Sequence, residues 1–132
     1  VWQNAGVDLS RFRESFARDE LLLLERSPEA HARILTALAK PGRADAAELD
    51  RLASQGLTGP ASPAGRAQAA RRVWAELSQA ADPARARQAE ELLAGLDEDP
   101  WAIVYLKRLF RVLAARQGRR DLADSSYLNE PE

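Results

Sequence analysis

Four times in this chain a serine or aspartate stands directly before a proline: Ser27-Pro28, Ser62-Pro63, Asp82-Pro83 and Asp99-Pro100. No other local feature narrows the choice of folds as far. The short polar side chain accepts from the unpaired N–H groups that open an α-helix. Proline lacks an N–H and has φ held near about −65°, so it suits the first helical position. Each pair therefore marks a helix start, and each is followed by apolar residues at helical spacing, with no alternating strand pattern between them. The prediction is an all-α chain, a compact orthogonal bundle of about six helices with short connections. No period of solenoid length recurs, which excludes stacked helical repeats.

Between these starts the apolar stripes read in order. A lead-in over 1–7 is predicted irregular, then a helix over Asp8 to Arg26 presents Leu9, Phe12, Phe16 and Leu23, widened by the run Leu21 to Leu24. The second helix carries Ala30, Ile34, Leu35 and Leu38 and stops at Pro41-Gly42. Asp45 with Glu48 three residues on resembles a capping box; it opens a helix whose inner side is Leu49, Leu52 and Ala53 and which Gly56 closes. Leu57 to Ala61 is a loop. The fourth helix turns Ala67, Ala70, Val73, Trp74 and Leu77 inward and Gln68, Arg72, Glu76 and Gln79 to solvent. The fifth presents Ala86, Ala89, Leu92, Leu93 and Leu96. Residues 125–132 form an extended tail.

The sixth helix is the predicted centre of the core. It runs from Pro100 to Gly118, with Asp99 as cap and Gly118 as stop. Ala102, Ile103, Leu106, Leu109, Phe110 and Leu113 make one apolar face, and Trp101, Tyr105 and Val112 extend it round a flank. Only Lys107, Arg108 and Arg111 mark a wet strip. So narrow a strip predicts cover from neighbours on two or three sides, with Trp74 and Trp101 shielded.

Composition removes several chemistries. With 132 residues, the chain is long enough for one domain, 1–132, with its own core. The absence of cysteine excludes disulfides, thiolate zinc sites, cysteine-held iron–sulfur clusters and cysteine catalysis within it. His31 is the only histidine, and Glu29 is too close in sequence to face it, so a packing role is expected. Glu90, Glu91, Asp97, Glu98 and Asp99 have no spacing that organises a metal site. Hence no catalytic residue, metal or cofactor is assigned, and the chain is not expected to be an enzyme. The longest apolar run, Leu21 to Leu24, is far short of a membrane span, and no signal-peptide pattern opens the chain, so no membrane contact and a cytoplasmic location are expected. A sequence without Met that begins at Val1 reads as processed, trimmed or part of a longer polypeptide.

A net charge of −1 argues against general nucleic-acid binding, which then has to come from a local patch. One exists. Lys107, Arg108, Arg111, Arg116, Arg119 and Arg120 occupy one segment with no acid among them, and Trp101 and Tyr105 lie beside it. Cations can follow a phosphate backbone while aromatic rings stack on bases, so these eight residues are the candidate nucleic-acid-binding set. Arg116 and Arg119 also suit the negative end of the helix dipole without any ligand.

Three stretches resemble the YbgA-like domain, a family that occurs alone and as a C-terminal extension of TudS-type desulfidases acting on thiouracil or on tRNA 4-thiouridine. Leu21-Leu22-Leu23-Leu24-Glu25-Arg26-Ser27-Pro28 is similar to the family's apolar run ending in Ala-His-Ser-Pro. Pro60-Ala61-Ser62-Pro63, with Arg66, Gln68, Arg72 and Leu77 after it, resembles Pro-Ala-x-Pro leading into a helix with His, Asn, His and Phe at those places. Leu122-Ala123, Tyr127-Leu128 and Pro131 resemble the family's closing segment. Arg26, Arg66 and Arg72 stand where the family has His, Ala75 where it has Gly and Ser125 where it has Gln, so no chemistry of those histidines carries over. Ser27, Tyr127 and Leu128 persist. The resemblance implies a non-enzymatic accessory domain that contacts RNA, in particular tRNA, in support of a separate desulfidase. The alternative is a structural or protein-interaction subunit of a larger complex with no nucleic-acid contact. Either implies a protein partner or a fused domain.

Overall fold

The computed structural model describes residues 5–40 and 45–129, with side chains from Leu9 onward. Three of the four proline pairs open helices as the capping argument requires. Ser27 Oγ accepts from the Ala30 N–H at 3.2 Å and starts α2, which follows α1 (Ala5–Arg26) and spans Pro28–Leu38. Asp45 Oδ1 accepts from the Ala47 N–H at 3.0 Å and starts α3 (Ala46–Thr58). Ser62 Oγ accepts from the Gly65 N–H at 2.9 Å at the head of α4 (Pro63–Leu77), which passes into a short 3-10 turn, Ser78–Ala80. Asp82 Oδ2 accepts from the Arg85 N–H at 3.4 Å at the head of α5 (Pro83–Ala94).

The fourth pair behaves differently. Asp99 Oδ1 accepts from the Trp101 N–H at 2.9 Å and the Asp99 carbonyl accepts from the Ala102 N–H at 3.1 Å. That local turn consumes the cap, so α6 spans Ala102–Arg116 and begins after Pro100 rather than at it. Gly118 ends it as expected. With φ at 67°, Gly118 donates to the Ala115 carbonyl at 3.3 Å and Arg119 to the Ala114 carbonyl at 2.9 Å, the paired bonds of a Schellman stop.

Three other boundaries depart from expectation. Helix α1 starts at Ala5, so the part of the predicted lead-in within the described residues is helical; Val1 to Asn4 lie outside them. Gly56 lies inside α3 instead of closing it, because its missing side chain makes room for a neighbour: a Cβ there would stand 2.5 Å from Leu23 Cδ1. The predicted loop is correspondingly shorter. The tail is not extended as far as Asn129. After the short α7 (Arg120–Ala123), Ser125 Oγ accepts from the Leu128 N–H at 3.4 Å and α8 (Ser126–Asn129) buries Tyr127 and Leu128. Burial of two large side chains holds this turn down, and Ser126 Oγ donates to Asp19 on α1. Residues 130–132 and Pro41-Gly42 lie outside the described residues.

Among the described residues there is no strand, and six helices of seven or more residues pack as an all-α bundle. Two apolar clusters share α1. Leu21 and Leu24 join α4, α5, α6 and α8 around the fully buried Phe110, Leu106 and Tyr127. Phe12, Phe16 and Leu23 join Ile34 of α2 and Leu49 of α3. Full burial of side chains this size contributes about 1.5–3 kcal/mol each. The close approach of α4 to the end of α1 depends on Gly65, where a Cβ would stand 2.2 Å from the Glu25 carbonyl oxygen.

Candidate interaction surface on helix α6

Helices α4, α5, α7 and α8 close round α6, the cover on several sides that its narrow polar strip predicts, but one flank stays bare. Ala102, Leu106, Leu109, Phe110 and Leu113 are buried, as their spacing predicts. Trp101, Tyr105 and Val112 are not: they are 63%, 50% and 42% exposed. No neighbouring helix reaches that flank among the described residues, so the expected shielding of Trp101 fails, while Trp74 is half-buried against the core. Arg108, Ala115 and Arg116 are exposed as well. At about 100° per residue, Trp101, Tyr105, Arg108, Val112 and Ala115 fall within one narrow stripe, at alternating intervals of four and three.

The basic segment divides into two groups. Lys107 points inward, its Nζ donating to Glu25 Oε1 at 3.0 Å and lying 4.3 Å from the centre of the Tyr127 ring. With Lys107 and Glu25 side chains only 16% and 4% exposed, this is a buried ion pair and not part of a wet strip. Arg111 Nη1 donates to the Leu128 carbonyl at 3.2 Å and fastens α8. Arg119 donates to Asp121 at 2.9–3.0 Å and to Glu76 Oε1 at 2.6 Å; those acids, Asp121 foremost, push the Arg119 pKa up, and the Arg119 guanidinium in turn holds the Asp121 pKa down. Arg108, Arg116 and Arg120 are exposed, and the Arg108 guanidinium lies 5.9 Å from the centre of the Tyr105 ring. Of the eight predicted residues, the fold brings Trp101, Tyr105, Arg108 and Arg116 onto one outer stripe and employs Lys107, Arg111 and Arg119 in its own bonds.

The residues carrying the family resemblance are placed apart from that stripe. Arg26 Nη1 donates to the Leu57 carbonyl at 2.6 Å and ties α1 to α3. Ser27 caps α2 and Gln68 is exposed. Arg66 lies near enough to Tyr127 to favour its phenolate, although burial, and then the Glu25 charge, push the Tyr127 pKa well up. The Tyr127 hydroxyl has no hydrogen-bond partner among the described residues. Leu128 is core. Arg72 Nη1 donates to Glu20 Oε2 at 2.7 Å, and His31 Nε2 donates to the same oxygen at 2.9 Å. His31 thus has a carboxylate partner after all, supplied by α1 and not by its own helix, and its ring stacks on Phe16. Arg72 is bonded to Glu20 whereas Arg66 lies near Tyr127, so the two do not share one site.

Two residues that matter most for polar packing were not singled out from the sequence. Glu25 is one helical turn after the buried Leu21, and Glu20 one turn after the buried Phe16. A carboxylate on the inward stripe of an amphipathic helix is the signal that it needs a partner from elsewhere. Among the described residues, no three His, Asp or Glu side chains are grouped to hold a metal ion, and no helix is long and apolar enough to cross a membrane. No family model matches the chain, and neither does any curated protein or solved structure.

Proposed function

We propose that this chain is a non-enzymatic helical interaction module that docks a protein partner on the outer face of α6. The observation that carries the reading is the stripe itself: Trp101, Tyr105 and Val112, all large and all exposed, aligned at four-and-three spacing on a helix whose opposite side is core. Large exposed side chains in line are the usual anchor for a second helix, and aromatic anchors dominate such interfaces. The internal use of Lys107, Arg111 and Arg119 supports the same choice, because it takes those three cations away from a phosphate backbone.

A second reading keeps the RNA-contacting accessory domain that the YbgA-like resemblance implies. It is favoured by Arg108 and Arg116 standing exposed on the same stripe as Trp101 and Tyr105. A photo-crosslinking amino acid in place of Tyr105, installed in the chain's native cells, separates the two. Protein adducts that disappear when Val112→Glu is added are expected. RNA adducts alone, accompanied by tRNA retention on a filter that weakens steeply with salt, would transfer the function to the second reading. Absence of any adduct would overturn both.

A further inference from the structure

We infer that the outer stripe of α6 is self-complementary and pairs antiparallel with α6 of a second copy of this chain. The inference rests on the interaction-module reading and names its partner. Two features of the surface point to a copy rather than to an unrelated helix.

The first is the order of charge along the helix. Immediately before α6 the chain turns through Asp97, Glu98 and Asp99, all exposed; at the far end Arg116 and Arg120 are exposed. A parallel pair would set acid against acid and base against base. An antiparallel pair sets each acidic turn beside the other copy's basic end, and it opposes the two helix dipoles favourably. The near-zero net charge of −1 adds no general repulsion between copies.

The second is the register that the stripe itself allows. In antiparallel packing with four-and-three spacing, Trp101 meets Val112 of the partner subunit and Tyr105 meets Arg108 of the partner subunit, with the mirror pairs completing the set. The large indole faces the smaller valine. Each guanidinium, already lying against its own Tyr105 ring at 5.9 Å, is presented to a second aromatic face. The ends agree in order, because the acidic turn lies just before Trp101 and Arg116 follows Val112 by four residues. One alignment therefore matches the apolar and ring–cation pairs and sets each acidic turn toward the other copy's basic end. Two-fold symmetry makes the contact isologous, so it closes at a dimer. One helix face is a small interface, which places the Kd on the order of micromolar to tens of micromolar.

Sedimentation equilibrium of the full chain from about 1 to 500 µM tests this range. The expected result is a reversible monomer–dimer equilibrium, weakened at least tenfold by Val112→Glu at unchanged helical circular dichroism and Tm. A second experiment does not depend on how that variant folds. Arg116→Glu with Arg120→Glu makes both ends acidic, and Asp97→Lys with Glu98→Lys makes both ends basic. Each double variant alone is expected to stay monomeric over the range where the parent dimerises, and an equimolar mixture to form a heterodimer. A parent that is monomeric throughout would overturn the pairing, as would a dimer that neither Val112→Glu nor the charge variants affect. In the first of these cases, Tyr105 adducts with a different protein would still uphold the interaction module, so the two readings fail separately.

Discussion

Lys107 and Arg116 are both cations of one helix, yet they occupy opposite physical situations. Lys107 is locked to Glu25, a carboxylate with a 4% exposed side chain, whereas Arg116 stands in solvent. Replacing Lys107 with Met leaves a buried charge without its counter-ion, and the expected loss is about 3–5 kcal/mol by urea denaturation. Arg116→Ala is expected to change stability by less than about 0.5 kcal/mol. Tyr127→Phe tests the same cluster from another side. Its hydroxyl is buried with no partner among the described residues, so removing it should be neutral or slightly stabilising; a loss above about 1 kcal/mol would show that the hydroxyl is bonded, for example to a buried water. None of this follows from local sequence, because Glu25 and Lys107 are 82 positions apart.

At the scale of elements, the glycines show what spacing reveals and what it conceals. Gly118 is a legible stop, since it follows a long apolar stripe and its positive φ is a local requirement of the helix end. Gly56 looks equally like a stop and is instead a point of close approach, and Gly65 makes no local signal at all. Yet Gly65 sets how near α4 comes to the carbonyl end of α1. Gly65→Ala drives a Cβ to 2.2 Å from the backbone oxygen of Glu25, which no rotamer can relieve, so the helices must part. The expected cost is about 1–3 kcal/mol or more, seen as a lower Tm with helix content retained. Gly59→Ala is the control: its backbone is extended with φ at −83° and nothing lies within 4 Å, so it should be neutral or stabilise by about 0.4–1 kcal/mol.

In the whole molecule the two apolar clusters meet on α1, on which both lean. Glu20 gathers three helices there, accepting from His31 of α2 and Arg72 of α4. The His31 bond, then the Arg72 guanidinium, outweigh burial and hold the Glu20 carboxyl down to about 2 from an ordinary 4.5. A depressed carboxylate pKa stabilises the fold fully above about pH 4.5, and that contribution is lost as pH falls through about 2. Allowing for solvent screening by the 41% exposed Arg72, it amounts to about 2 kcal/mol. Glu20→Gln should therefore be less stable than the parent at pH 7 by that amount, and the two should converge as pH falls from about 4.5 to 2 in an acid-unfolding series. A constant difference across that range would assign the effect to packing.

What the sequence alone determined is the helical class, most helix boundaries and most of the residues each helix buries, with Leu35 of α2 exposed against expectation. These depend on interactions spanning at most four residues: a Ser or Asp side chain reaching an N–H two or three positions ahead, a proline at the first turn, a glycine at the last, and apolar residues recurring with the helical period. The tertiary structure alone decided which apolar flank stays uncovered and which charges are consumed inside. Trp101, Tyr105 and Val112 have the composition of a core and became a surface, because cover is supplied by other helices and none comes to that side among the described residues. Lys107 and Arg111 have the composition of a surface and became fastenings, because Glu25 and the Leu128 carbonyl lie within reach only after α1 and α8 have packed on α6. A pattern read along one helix ranks its faces by hydrophobicity; the neighbours that close on a face are fixed by contacts distant in sequence.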